Sequence, residues 1–97
     1  MGQFRLTILA EEDFDGIGAY TLENWGPEQA VQYLTELDET FAALAQTMAL
    51  GIDRGYIHPN LLSHHCNHHV IFFRRDEKGN AEILRILHER MDFIRHL

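Results

Sequence analysis

Ninety-seven residues and 11.3 kDa suit one hydrophobic core; chains divide into several domains at about two to three times this length. A composition that is 45% hydrophobic and 10% aromatic with two prolines excludes a disordered chain, because enough apolar surface is present to offset the entropy of ordering. A formal charge of −7 excludes a surface that is basic all round and grips nucleic acid without preference.

The seven histidines temper that charge, since protonating all of them brings it to about zero near pH 5–6. One cysteine cannot form an internal disulfide, and the first residues hold no apolar run long enough for a signal peptide or a membrane span. The expectation is a single domain over residues 1–97, in the cytoplasm. Charge is unevenly spread: residues 1–50 carry one base and nine acids, and residues 51–97 carry seven bases and six acids. Any contact with a polyanion therefore belongs to the second half.

Residues 3–9 (QFRLTIL) alternate Phe4, Leu6 and Ile8 against Gln3, Arg5 and Thr7, the period of a half-buried strand. From Ala10 the spacing changes to three and four through Phe14, Ile17, Thr21 and Trp25, which predicts a helix. Its early Glu11, Glu12 and Asp13 suit the positive end of the helix dipole. Gly26-Pro27 punctuates, and a second helix runs from Pro27 to about Met48 along the stripe Ala30, Leu34, Leu37, Phe41, Leu44 and Met48. Such a stripe on one helix of a tight antiparallel hairpin reads as core, with Trp25 as a plug between hairpin and sheet.

Residues 51–60 read as a loop, 61–64 as a weak strand and 65–68 as a turn. The β-branched and aromatic run over 70–75 (VIFFRR) predicts a strand. A turn over 76–80 (DEKGN) leads to a last strand over 81–87 (AEILRIL), with Ile83 and Arg85 on one face and Leu84 and Ile86 on the other. The tail closes with a short helix starting near Asp92, a residue suited to capping it. The layout is α+β, in the order β-α-α-β-β-β, a tight helical hairpin and an antiparallel meander with a short C-terminal helix.

Two blocks of residues resemble a known family. The first is Asp13-Phe14, Ile17, Tyr20-Thr21, Trp25-Gly26, Glu28-Gln29-Ala30, Tyr33-Leu34, Leu37, Phe41 and Leu44-Ala45. The second is His69-Val70-Ile71-Phe72-Phe73, then Ile83-Leu84-Arg85-Ile86-Leu87-His88 and Arg90-Met91-Asp92. Together, nearly end to end, they resemble a ParE-type toxin of the RelE/ParE superfamily, the toxic half of a type II toxin-antitoxin pair. The resemblance implies a helical hairpin packed on a small antiparallel sheet, poisoning of DNA gyrase rather than RNA cleavage, and neutralisation by a ParD-like antitoxin in a hetero-oligomer. No enzyme activity and no cofactor are expected with it, and the composition and charge already argue against a membrane span and direct nucleic-acid binding. In one respect the chain departs from the pattern: family members commonly carry an arginine on the strand before the histidine-valine hairpin, where Leu62 stands here.

Candidate target contacts are Arg85, Arg90, Met91, Asp92 and Phe93, on or just past the last strand in the less acidic half. Arg85 has a second reading, a structural ion pair with Asp92 or Glu89, since a cation among Ile83, Leu84, Ile86 and Leu87 must pair or reach the edge. Candidate antitoxin contacts are Leu61, Leu62, Val70, Phe72, Phe73 and Phe41, by strand addition or helix-in-groove packing; their default reading is core.

The run His64-His65-Cys66-Asn67-His68-His69 invites a metal assignment. Structural zinc needs four converging ligands, and extended neighbours point to opposite faces. The expectation is no physiological metal. RNA cleavage is the alternative activity: it needs a base, an acid and cations on the phosphate, for which His64, His65, His68 and His88 with Arg74, Arg75 and Arg90 are the available groups. An inactive scaffold that only binds its antitoxin is the third reading.

Overall fold

The computed structural model describes residues 3–97. The first strand, β1 (Phe4–Leu6), is shorter than its alternation predicts because Thr7 ends it. The Thr7 hydroxyl accepts from the Ala10 N–H at 3.1 Å and donates to the Leu84 carbonyl at 2.9 Å, so the residue that fixes the strand end also caps the helix. Helix α1 (Ile8–Trp25) therefore starts two residues earlier than expected, and Ile8, which the alternation assigned to the core, is 76% exposed.

Gly26 at φ +90° joins α1 to α2 (Pro27–Gln46). This left-handed turn suits glycine, and proline's fixed φ suits the first helical position. The expected stripe is the buried face of α2, with Leu37, Phe41 and Leu44 at most 1% exposed. One turn of 3-10 helix (Met48–Leu50) follows. Trp25 does not plug the hairpin onto the sheet: it lies at the last turn of α1 and is 71% exposed.

The expected loop contains a two-residue strand, β2 (Ile52–Asp53), too short to show a pattern. It pairs with β3 (Leu62–Cys66), which runs two residues further than expected; β4 (His69–Arg75), β5 (Ala81–His88) and α3 (Phe93–His96) complete the chain. The sheet order is β1-β5-β4-β3-β2, antiparallel except that β1 runs parallel to β5. Asp92 precedes α3 as foreseen, but its side chain makes no cap bond.

A register shift between β4 and β5 pairs Phe72 with Arg85 and Phe73 with Ile83, leaving Leu84 as a bulge. The bulge breaks the expected alternation. Ile83 and Ile86 both enter the core between sheet and hairpin, with Leu37, Phe41, Leu44, Ile71 and Phe73. Leu84 and Leu87 turn to a second, smaller core on the other face, with Leu61, Val70 and Phe72, closed over by Ile57, Phe93 and Leu97. Covered on both faces, β4 reads as a continuous apolar run rather than an alternating one.

Candidate functional site

The second core brings the end of β5, α3 and the 54–61 segment together, and Arg85 ties them to the helical hairpin. The bulge turns the Arg85 guanidinium toward α1, where Nε and Nη2 donate to the two carboxylate oxygens of Asp13 at 2.8 and 3.0 Å. Asp13 also accepts from the Ile86 N–H at 2.9 Å, and Arg85 Nη1 donates to the His96 carbonyl at 3.0 Å. The hydrogen bond to Asp13 raises the arginine's pKa above its ordinary value, as a forked ion pair with little solvent should. The structural ion pair foreseen for Arg85 is present, with a different partner from those expected. Glu89 is engaged elsewhere, and Asp92 stands at the start of α3. Nothing in the spacing of the sequence points to an acid 72 residues away.

The remaining target-contact candidates divide by exposure. Phe93 packs edge-on against Phe72 with ring centroids 4.9 Å apart and holds α3 down. Arg90, Met91 and Asp92 project into solvent from the turn between β5 and α3. Among the described residues the Arg90 side chain has no ion-pair or hydrogen-bond partner. The tail is pinned from a second side, where His58 Nε2 lies 3.0 Å from the Leu97 carbonyl.

Five of the six antitoxin-contact candidates are interior. Phe41 and Phe73 belong to the first core, and Leu61, Val70 and Phe72 to the second; none is more than 6% exposed. Side chains this enclosed shape the surface from beneath and offer a partner no area of their own. Leu62 alone keeps accessible surface, on β3 opposite Phe73.

The histidine run is distributed by strand alternation and the tight turn after Cys66. His65 Nε2 and His68 Nδ1 hold the two oxygens of Glu89 at 2.8 and 3.1 Å, clamping the β3–β4 turn to the end of β5. Hydrogen bonds from His68 first, then His65, keep the Glu89 carboxyl below its ordinary pKa. His69 is half-buried. Burial, and then the neighbouring His88 and His68, lower its pKa to about 4, so it is neutral at pH 7, and its Nδ1 is hydrogen-bonded to the Tyr33 hydroxyl. Tyr33 in turn accepts from the His68 N–H at 3.3 Å, and burial raises its own pKa. Among the described residues no three His, Cys, Asp or Glu side chains are placed to hold a metal ion. His64 reaches instead toward the Leu50 carbonyl at 3.3 Å. His65, His68, His69 and His88 thus gather around Glu89 and Tyr33 where the β3–β4 turn meets the end of β5, and His64 stands apart from them. Asp13, Tyr33 and His58 are the site-shaping residues that patterning alone passed over.

No helix among the described residues is long and apolar enough to cross a membrane. Residues 4–93 match the family model described as the ParE toxin of the type II toxin-antitoxin system parDE. The chain is 35% identical to the Toxin ParE of Escherichia coli over 97 residues, spanning all of this chain and 94% of that one. It is 32% identical to Toxin ParE1 of Caulobacter vibrioides over 97 residues, covering all of this chain and 99% of that one. Its fold is similar to a chain of the chromosomal ParDE toxin-antitoxin system from P. aeruginosa, with a TM-score of 0.76 at 24% identity, over 91% of this chain and 96% of that one. With a family model over nearly its whole length and relatives matched end to end, the chain belongs to the ParE toxin family of type II toxin-antitoxin systems.

Proposed function

We propose that this chain acts in the cytoplasm as a non-enzymatic growth inhibitor directed at DNA gyrase, held in check by a ParD-like antitoxin in a hetero-oligomer, and that it leaves RNA intact. The observation that carries the reading is the state of its acid-base groups within a ParE-family fold. His69 is neutral and bonded to Tyr33, His65 and His68 are committed to Glu89, and Arg85 is committed to Asp13. General acid-base cleavage needs a base, an acid and cations converging on one phosphate; of the groups available for it, His65 and His68 are paired with Glu89 and Arg74 with Glu82. An inhibitor that works by binding needs only a protruding, complementary surface.

That surface is the turn after β5. Arg90 and Met91 are its contact residues, with Asp92 beside them. Arg85 and Phe93 act as positioning residues, anchoring the turn through Asp13 and Phe72. For the antitoxin, Leu62 supplies partly accessible apolar surface, while Leu61, Val70, Phe72, Phe73 and Phe41 set the shape of the face from below. The test is a supercoiling assay with purified gyrase alongside incubation with RNA. Inhibited supercoiling with intact RNA supports the proposal; fragmented RNA with active gyrase overturns it.

A further inference from the structure

One row of the sheet carries more charge than the fold needs. Arg5 on β1, Glu82 on β5 and Arg74 on β4 stand in register on three adjacent strands. Glu82 is the one buried charged residue among the described residues, 6% exposed. It accepts from Arg74 Nε at 2.7 Å and pairs with Arg5 Nη2 through its other oxygen. A buried carboxylate needs a partner to offset its lost hydration, and one arginine meets that need. Here two flank it, both half-exposed, so the trio keeps a net positive charge.

The row opens into a groove of about 680 Å³, lined also by Arg75, Lys78, Asp76 and Glu77. The second core covers this face of the sheet at Val70, Phe72 and Leu87. Arg74, two residues past Phe72 and therefore on the same face, lies beyond that cover. Only its Nε is engaged; among the described residues its two terminal nitrogens, and the side chains of Arg75 and Lys78, have no ion-pair or hydrogen-bond partner. Asp76 lies 3.5 Å from Arg5 but gives its other oxygen to the turn, accepting from the Lys78 and Asn80 N–H groups at 2.9 Å. Four cations thus meet three carboxylates along this groove, in a chain of net charge −7. Arg5 is the one base of residues 1–50, and β1 delivers it to the bases of the β4–β5 hairpin.

We propose that this groove is an oxyanion site for a small molecule carrying a diphosphate or triphosphate chain. Glu82 is its positioning residue, holding one edge of each guanidinium and leaving the terminal N–H groups of Arg74 for the ligand. Guanidinium groups match phosphate oxygens two at a time, and the cations here outnumber what a single carboxylate ligand can engage. The groove falls within the range of small-molecule sites, about 300–1,000 Å³. A nucleic-acid backbone would press its further phosphates against the acidic remainder of the chain. The site shares no residue with the turn after β5 and stands independently of the gyrase reading.

The test titrates the full-length chain by calorimetry with tripolyphosphate, orthophosphate, citrate and a short DNA duplex at matched ionic strength. Tripolyphosphate should bind at one site per chain, at least about tenfold more tightly than orthophosphate or citrate. Arg74→Ala should weaken it at least about tenfold, as should the double variant Arg75→Ala/Lys78→Ala. Arg74→Lys should not restore the affinity, because an ammonium lacks the fork. The amide shifts that tripolyphosphate causes in NMR spectra should fall on residues 74–80. Arg75 and Lys78 hold no side-chain contact of the fold, so the double variant should melt with the wild type, and it decides alone should Arg74→Ala melt early.

Absence of tripolyphosphate binding at about millimolar concentration overturns the site. So does equal affinity in the wild type and Arg74→Ala, or in the double variant where that one decides. Citrate binding as tightly reduces the groove to general charge, and tighter binding of the duplex assigns it to a nucleic-acid backbone; either result overturns the proposal.

Discussion

Arg85 and Asp13, 72 residues apart, form a two-pronged ion pair that joins the last strand to the first helix, and the side chains are only 19% and 16% exposed. Removing one partner leaves the other charge with little water to replace it, and the Ile86 N–H loses its acceptor as well. Asp13→Ala should therefore destabilise the chain by roughly 2–4 kcal/mol in urea unfolding. Asp13→Asn should cost less, because an amide oxygen still accepts from Ile86. A shift below about 0.5 kcal/mol for the alanine variant would show that the pair adds nothing to stability.

Thr7 serves two elements with one hydroxyl, capping α1 and bonding the carbonyl of the bulged Leu84. Thr7→Ala should cost about 1–2 kcal/mol, and Thr7→Ser should recover most of it because serine keeps the hydroxyl. Equal unfolding midpoints for the alanine and serine variants would contradict the capping role.

Much of this architecture is legible in the residues, and the parts that are not share a physical cause. The hairpin follows from the α2 stripe and Gly26-Pro27, and β4 from its β-branched and aromatic run, because those signals are local and burial enforces them. The bulge at Leu84 leaves no local mark, yet it decides which residues of β5 share a face and aims Arg85 at Asp13. Trp25 carries the size and hydrophobicity of a core residue, but its place in the last turn of α1 leaves it in solvent. The apolar partner candidates Phe41, Phe72 and Phe73 followed hydrophobicity into the interior, since composition does not tell a docking strip from a core. Arg90 and Met91 are exposed in the turn past the end of β5.

His69 links stability to pH. Its folded pKa of about 4 lies below the ordinary 6.5, so between these values the unfolded chain binds a proton that the folded chain refuses. Stability is full above pH 6.5 and should fall as pH drops toward 4. The ring is only half enclosed, so the loss is discounted to roughly 1–2 kcal/mol. His69→Gln should flatten this part of the curve of unfolding midpoint against pH. An unchanged slope in that variant would place the pH dependence on other groups.

Arg90 and Met91 project from the turn after β5 without holding the fold together. Arg90→Ala should reduce growth inhibition at least about tenfold while changing unfolding free energy by no more than about 0.5 kcal/mol. His64→Ala and His65→Ala should leave inhibition near the wild-type level. If the histidine variants abolish inhibition and Arg90→Ala does not, the working surface lies at the histidine run.

The most direct measurement is a supercoiling assay in which purified gyrase is incubated with the wild-type chain, with and without the product of the adjacent reading frame, while RNA integrity is followed in the same tube. Loss of supercoiling or trapped cleaved DNA, restored by the second protein and accompanied by intact RNA, is the predicted result. Unimpaired gyrase in the presence of excess folded chain, with RNA cut into fragments, would contradict it.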